Sequence, residues 1–212
     1  MLIVEDHPVF REGLALLTTG IPGHVVCGEA GTARHAFDAI SKLNPDLVLM
    51  DLNLPDKNGL ELLRDIRSLR PELPVLVISM HEEEIYGEPV LRAGGRGYIM
   101  KYEDTDKVKD AITKVSNGQV YASERIAAKI LDGLTRPRST ADNTVAAGRL
   151  TTRELEILRL TGQGKDSRTI ADELQISLKT VDTHRWNLRE KLGLSNGTEL
   201  IHYAVRWVRD QI

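Results

Sequence analysis

The chain has 212 residues, with 28 Lys and Arg against 31 Asp and Glu and a formal net charge of −3. That length holds one large domain or two small ones of ordinary soluble composition. No apolar run approaches the roughly 20 residues of a membrane-spanning helix, an apolar start as short as Leu2-Ile3-Val4 does not read as a leader peptide, and the lone Cys27 has no second cysteine to pair with.

Strand and helix signals alternate along the front. Residues 2–4 read as a strand and Pro8–Thr19 as a helix. Residues 25–28 read as a strand, in which Cys27 is expected to be a buried, inert thiol, and 32–43 as a helix. A continuous apolar strand over 47–50 is followed by a helix over 60–70, with Leu60, Leu63, Ile66 and Leu69 on the helical period. Residues 75–78 form a strand ending on Ser79, 98–100 a strand ending on Lys101, and 105–117 a helix. Between the last two strands lies a helix through Val90 and Leu91 that contains Gly87 and Pro89. An interior Gly costs ~1 kcal/mol and an interior Pro ~3 kcal/mol relative to Ala, so this helix is expected to be the least stable of the front domain. Five βα units with short connections predict an α/β doubly wound, five-stranded parallel sheet.

Residues 123–134 read as a helix that Ser123 can cap. Residues 135–148 have no apolar period and much turn chemistry, and read as a flexible linker. Charge changes across it: residues 1–122 carry 13 basic and 19 acidic side chains, net −6, and residues 149–212 carry 11 and 9, net +2. The expected division is a domain over 1–120, a helix and linker over 121–148, and a small all-α domain over 149–212. The different charges suit different partners, although an excess of +2 does not by itself argue for nucleic acid.

The back domain opens on Thr151-Thr-Arg-Glu154, a capping box in which Thr151 and Glu154 satisfy each other's backbone donors. A short helix from Ser167 carries Ile170, Ala171 and Leu174; Gln175-Ile176 turns the chain; Ser177 caps a longer helix that Gly193 ends; a last helix runs over about 198–208. Four short helices with a tight turn between the second and third form the pattern of a helix-turn-helix. On the third, Val181, Leu188 and Leu192 share the core face, and Lys179, Asp182, Thr183, Trp186 and Glu190 fall on or near the other. In a helix-turn-helix that outer face enters the major groove. Trp186 there reads either as a contact to thymine methyls or sugar edges, or as packing against the rest of the chain.

The front domain also gathers chemistry at one edge. The run Leu47-Val48-Leu49-Met50 ends on Asp51, and Leu2-Ile3-Val4 ends on Glu5 and Asp6. Parallel sheets bind ligands at the carboxyl ends of their strands, and three carboxylates there suit a hard cation such as Mg²⁺. Ser79 and Lys101 add a hydroxyl and an ammonium, which a metal store does not need but a phosphoryl group does. Asp51 is then the nucleophile that forms an acyl phosphate. Taken singly, Lys101 reads as a solvated strand end, Ser79 as a turn residue and Tyr98 as a core aromatic; five such residues at the expected strand ends argue against that. His7 is expected at the rim, and His81 with residues 82–84 at a solvated helix start.

Val4-Glu-Asp-His-Pro8, Met50-Asp-Leu-Asn-Leu-Pro55, Asn58-Gly-Leu-Glu-Leu62, Ser79-Met-His81 and Gly97-Tyr-Ile-Met-Lys101 resemble, in order and spacing, the receiver domains of bacterial two-component response regulators, over nearly all of residues 1–120. The resemblance implies that Asp51 accepts phosphate from a sensor histidine kinase. It implies that Asp6 and Asp51 ligate Mg²⁺, with Glu5 acting through water and the backbone carbonyl of Asn53 completing the site. It makes Lys101 and Ser79 the holders of the phosphoryl oxygens and Tyr98 the aromatic switch. One departure is that the first strand starts at Met1, so either residues precede it or it makes fewer ladder bonds.

Leu150-Thr-Thr-Arg-Glu154, Ile170-Ala171, Ile176-Ser177, Thr180-Val181, His184, Asn187-Leu188 and Lys191-Leu-Gly193 resemble the LuxR-type DNA-binding domain over about 149–209. Joined to a receiver, this is the pattern of the NarL/FixJ family of response regulators. It implies that Asp182, Thr183 and Trp186 face the bases of double-stranded DNA, with Lys179, Thr180, His184, Arg185, Asn187 and Lys191 as phosphate or helix-positioning contacts; His184 reads equally as a structural residue. Asp182 stands where a basic residue is often found. The last helix, with Leu200, Ile201, Ala204, Val205 and Val208, buries part of its stripe and, in this family, pairs with its copy in a homodimer on adjacent half-sites.

These expectations describe a cytoplasmic, non-enzymatic transcription regulator switched by phosphorylation, with Mg²⁺ as its cofactor. An Asp-nucleophile phosphatase is the competing enzyme, but such enzymes typically place a second Asp two positions after the nucleophile. Here that position is Asn53, which cannot act as a general acid. A regulator that ignores phosphate and switches by dimerisation alone is the third reading.

Overall fold

The apolar runs at the front leave no polar face, so each must be covered on both sides, as the central strands of a parallel sheet are. The computed structural model, which describes residues 1–135 and 150–209, builds that sheet. Its elements are β1 (Leu2–Val4), α1 (Pro8–Thr19), β2 (Gly28–Ala30), α2 (Ala33–Leu43), β3 (Val48–Met50), α3 (Gly59–Leu69), β4 (Val75–Ser79), α4 (Glu83–Arg92), β5 (Gly97–Met100), α5 (Thr105–Ser116) and α6 (Glu124–Thr135). The strands run parallel in the order β2-β1-β3-β4-β5. Ile3, Leu47, Leu49, Leu76, Ile78 and Ile99 meet Leu14 of α1 and Val108, Ala111, Ile112 and Val115 of α5 on one face. Helices α2, α3 and α4 cover the other face.

The second strand is displaced from the expected 25–28 to Gly28–Ala30. Among the described residues it is an edge strand paired only with β1, so it needs little apolar cover, and Val25 is exposed. Cys27 is likewise exposed, not the buried thiol expected; its Sγ donates to the Met1 carbonyl at 3.1 Å. The 25–27 run still pairs with the chain start, because the Met1 amino group donates to Val25 O (2.7 Å) and Cys27 N to Met1 O (2.8 Å). On β1's other side Leu2 N donates to Leu47 O, and Asp51 N to Val4 O, each at 2.9 Å. The short first strand is therefore tied along both edges as far as Glu5, whose N–H donates to Ala30 O at 2.9 Å.

Helix ends follow their chemistry. Thr32 and Asn58 cap α2 and α3 by accepting from His35 N and Leu60 N. Gly59 sits so close to the end of β3 that a Cβ would lie 2.5 Å from Leu52 Cα, so only glycine lets α3 start against the strand that delivers Asp51. The α4 helix keeps Pro89 in its interior, and its Glu82 cap makes no side-chain hydrogen bond. After α5 the chain returns along β5, where Tyr121 forms a parallel bridge to Gly97. α6 then packs on α4: Ile126 is buried, Ser123 N donates to Glu83 Oε1 at 3.1 Å, and Ser123 Oγ accepts from Ile126 N at 3.3 Å. The expected linker lies outside the described residues, apart from Thr135 at the end of α6.

The described residues 150–209 form a second unit distinct from residues 1–135. It contains α7 (Thr152–Gly162), α8 (Ser167–Glu173), α9 (Leu178–Leu192) and α10 (Gly197–Arg209). The capping box is present in both directions, with Glu154 N donating to Thr151 Oγ1 at 3.2 Å and Thr151 N to Glu154 Oε2 at 2.8 Å. Gln175 adopts φ +52°, which makes the tight turn between α8 and α9. Leu155, Leu158, Ile170, Val181, Leu188, Leu200, Ala204 and Trp207 fill the core. Leu200 and Ala204 therefore do not belong to an outward dimerisation face: they pack inside their own unit, where α10 lies on α7. Ile201 and Val205 point out, 44% and 48% exposed, and Val208 is half-buried.

Candidate functional site

Parallel strands end at one edge, so β1, β3, β4 and β5 carry Glu5, Asp6, Asp51, Ser79 and Lys101 to the same place. One ligand atom from each of Glu5, Asp6, His7 and Asp51 lies within 4.8 Å of the others. Glu5, Asp51 and Ser79 are buried. The Lys101 ammonium, itself 5% exposed, donates to Asp51 Oδ2 at 2.9 Å and lies 2.6 Å from Glu5 Oε2. Asp51 Oδ1 accepts from Leu52 N at 2.7 Å. The Phe10 ring centroid lies 4.6 Å from Lys101 Nζ, a cation–π contact with the ammonium.

The carboxylates exceed the cations here. His7 Nδ1 stands 2.7 Å from Asp6 Oδ1, but its hydrogen bond goes to Glu5 Oε1 at 3.1 Å. Asp6 Oδ1 is buried and has no hydrogen-bond partner among the described residues. A buried orphan carboxylate oxygen beside two further carboxylates is the donor set of a hard divalent cation, so the residues fit Mg²⁺. Glu5, expected to act on the metal through water, is also engaged directly with Lys101 and His7. His7 remains largely exposed at the rim, as expected.

The two strand-end groups expected to sense a phosphoryl group are also joined. Tyr98 is buried, and its hydroxyl donates to the His81 carbonyl at 2.7 Å. Burial drives its phenol far above the ordinary value; a hydrogen bond with Ser79 offsets part of this, and the Asp51 charge adds to it. Ser79 Oγ faces the His81 N–H at 3.4 Å. The His81 ring stacks on Tyr86, with centroids 4.4 Å apart, and its Nε2 lies 3.2 Å from Asn53 Oδ1. His81 thus joins the β3–α3 and β4–α4 loops across the mouth of the site and is not merely a solvated helix start. Asp56, which sequence reading passed over, accepts from Ala33 N (2.8 Å) and Arg34 N (3.0 Å) at the start of α2. Burial would raise its carboxyl, but these bonds prevail and hold it below the usual range.

In the second unit, α9 presents Asp182, Thr183 and Trp186 outward, with Trp186 54% exposed. Several expected phosphate contacts are committed within the unit. Arg185 Nη1 donates to Ser167 Oγ at 2.9 Å, Lys191 Nζ to the buried Glu154 at 2.8 Å, and Thr180 shares a 2.7 Å bond with the capping Ser177. His184 is half-buried, its Nδ1 has no hydrogen-bond partner among the described residues, and burial pulls its pKa below the ordinary value. Lys179 remains exposed.

A sheet edge of clustered carboxylates with a lysine on one unit and a helix-turn-helix on the other define a two-part regulator, with a receiver and a DNA-binding effector. Residues 1–113 match the response regulator receiver domain, and residues 148–204 match bacterial regulatory proteins of the luxR family. The transcriptional regulatory protein LiaR of Bacillus subtilis (strain 168) is 35% identical over 97% of this chain and 96% of that protein. The nitrate/nitrite response regulator protein NarL of Escherichia coli (strain K12) is 32% identical over 100% and 95%. Among solved structures, a LuxR-family two-component response regulator from Aurantimonas sp. SI85-9A1 aligns with TM-score 0.57 and 32% identity, over 64% of this chain and 96% of that one. RcsB from Salmonella enterica serovar Typhimurium, solved on a promoter with phosphomimetic BeF₃⁻, aligns with TM-score 0.59 and 25% identity over 96% of each. The chain belongs to the NarL/FixJ family of response regulators, which join a receiver to a LuxR-type helix-turn-helix domain. It is a phosphorylation-regulated, DNA-binding transcriptional regulator.

Proposed function

We propose that Asp51 is the phosphoryl acceptor. A carboxylate oxygen of Asp51 bonds to the phosphorus of a phosphohistidine on a sensor kinase, and the P–N bond breaks, returning its electron pair to the imidazole. The observation that carries this is the 2.9 Å contact between Lys101 Nζ and Asp51 Oδ2 inside a buried carboxylate cluster. Asp6 and Asp51, the Asn53 carbonyl and, through water, Glu5 would hold Mg²⁺, which when bound offsets charge on the phosphoryl oxygens. Lys101 neutralises a second oxygen and Ser79 donates to a third, after which Tyr98 and His81 carry the change into the β4–α4 loop.

The same proposal makes residues 121–148 the tether between receiver and effector. The effector acts on DNA in the cytoplasm as a homodimer: the exposed Ile201 and Val205 on α10 offer the pairing face, with Val208 at its margin, and α9 enters the groove. RcsB, solved on a promoter with BeF₃⁻ and as dimers on DNA, supports this reading. The test is an acyl-phosphate donor with Mg²⁺. The full chain should gain one phosphoryl group by intact mass and bind DNA more tightly, and Asp51→Asn should do neither. Equal DNA affinity with and without phosphoryl transfer would favour switching by dimerisation alone.

A further inference from the structure

The outward side of α9 has an unusual balance of charge for a helix that reads DNA. Two of its cations, Arg185 and Lys191, are spent on Ser167 and Glu154 within the unit. The Thr183 hydroxyl donates back to Lys179 O at 2.9 Å. The exposed groups that remain include Lys179, Asp182, Trp186 and Glu190. Asp182 makes no side-chain hydrogen bond or ion pair among the described residues, so its carboxylate is available to a ligand.

A carboxylate in the major groove has few partners. It has no proton to donate, so it cannot bond the O6 and N7 acceptors of guanine or O4 of thymine, and it repels phosphate. The donors it can accept from are N4 of cytosine and N6 of adenine. Adenine sets an N7 acceptor beside N6, which repels the second carboxylate oxygen; cytosine presents its amino group without that neighbour. Cytosine is therefore the base Asp182 favours. Trp186 stands one turn further along the same side of the helix. Four residues advance about 6 Å along the axis, which is about two base-pair steps at ~3.4 Å each. Its apolar ring suits the methyl of thymine.

We propose that α9 selects half-sites in which a cytosine, read by Asp182, lies about two steps from a thymine whose methyl is covered by Trp186. This rests on the DNA-binding reading and adds its sequence preference. The acid also lowers affinity for DNA without that cytosine, so specificity is gained by excluding wrong sites as well as by holding the right one.

The test is selection from a random duplex library by the full chain, phosphorylated with an acyl-phosphate donor and Mg²⁺, beside Asp182→Ala, Asp182→Asn and Trp186→Ala. Both positions are exposed, and the fluorescence of the buried Trp207 checks the fold of the Asp182 variants, while circular dichroism checks Trp186→Ala. The wild type should discriminate for cytosine at one position by about 5- to 150-fold. Asp182→Ala should flatten that position and raise binding to random DNA. Asp182→Asn should move the preference to adenine, whose N6 and N7 an amide bonds together. Trp186→Ala should flatten only the thymine two steps away. A selected sequence that is unchanged in the Asp182 variants would overturn this inference and leave DNA binding standing. A wild type that selects no sequence would overturn both.

Discussion

Lys101 Nζ reaches Asp51 Oδ2 across 2.9 Å, joining the ends of β5 and β3 although β4 lies between them in the sheet. Neither side chain is more than 5% exposed. Removing one partner of a buried ion pair strands the other charge, at a cost of about 3–5 kcal/mol. Lys101→Met should therefore lower the stability of the receiver by that order in urea unfolding followed by circular dichroism. Mg²⁺ should restore part of the loss, since a cation again faces Asp51 and Glu5. An unchanged midpoint without Mg²⁺ would show that the pair does not hold the edge together.

The orphaned Asp6 Oδ1 makes a separate prediction. A ligand that binds only the folded state at 100 times its dissociation constant stabilises by about 2.7 kcal/mol. Mg²⁺ should raise the thermal midpoint of the wild-type receiver, and a chelator should return it without unfolding the protein. In Asp6→Asn the rise should shrink or vanish while the metal-free midpoint moves little or upward, because one repelling charge is gone.

Tyr98→Phe keeps the buried ring and deletes the hydroxyl that donates to the His81 carbonyl and bonds with Ser79. The cost to stability should be about 0.5–1.5 kcal/mol. Phosphorylation of Asp51 should proceed at an unaltered rate while its effect on DNA affinity falls, because the link from Ser79 through Tyr98 to the β4–α4 loop is cut. If Tyr98→Phe slowed phosphoryl transfer and left the DNA response whole, Tyr98 would belong to the chemistry and not to the switch.

Much of this was legible from local sequence, where local chemistry decides the outcome. Pro8–Thr19 is a helix over the expected residues, and Thr151 with Glu154 forms the expected capping box. Edge effects were not legible: the Val25-Val26-Cys27 run looks like a buried strand, but β2 has a neighbour on one side only and forms three residues later. At the site, sequence placed the strand-end residues but not the contacts between distant ones. Phe10 beside Lys101, His81 against Asn53, and Asp56 on the start of α2 all depend on closure of the sheet. On α10, an apolar stripe alone does not tell Leu200 and Ala204, which turn inward, from Ile201 and Val205, which do not.

Helix α4 should be the least protected helix of the receiver. Pro89 removes one interior hydrogen bond and no side chain caps the start. Its cover is α6, through Ile126 packed near Gly87 and the bond from Ser123 N to Glu83. Amide exchange over residues 83–92 should be faster than over 59–69, and faster again in Ile126→Ala, with α6 itself losing protection. Exchange in α4 as slow as in α3 would mean that packing of Ile85, Tyr86 and Val90 outweighs the proline.

His184 gives the second unit a pH response. Burial lowers its pKa below the ordinary 6.5; Glu154 pulls the other way, Arg153 and Lys191 add to the lowering, and Glu156 opposes it. Its buried Nδ1 has no acceptor among the described residues, so a protonated ring would leave that donor unpaired. Below pH 6.5 the unfolded chain takes up a proton that the folded chain does not, so stability falls as pH drops from 6.5 toward the depressed folded value and is flat above it. Both tryptophans, Trp186 and Trp207, lie in this unit, so their fluorescence in urea reports it within the full chain. The wild type should lose stability across that window, and His184→Gln should remove the slope. A slope that survives the substitution would assign the effect to another group.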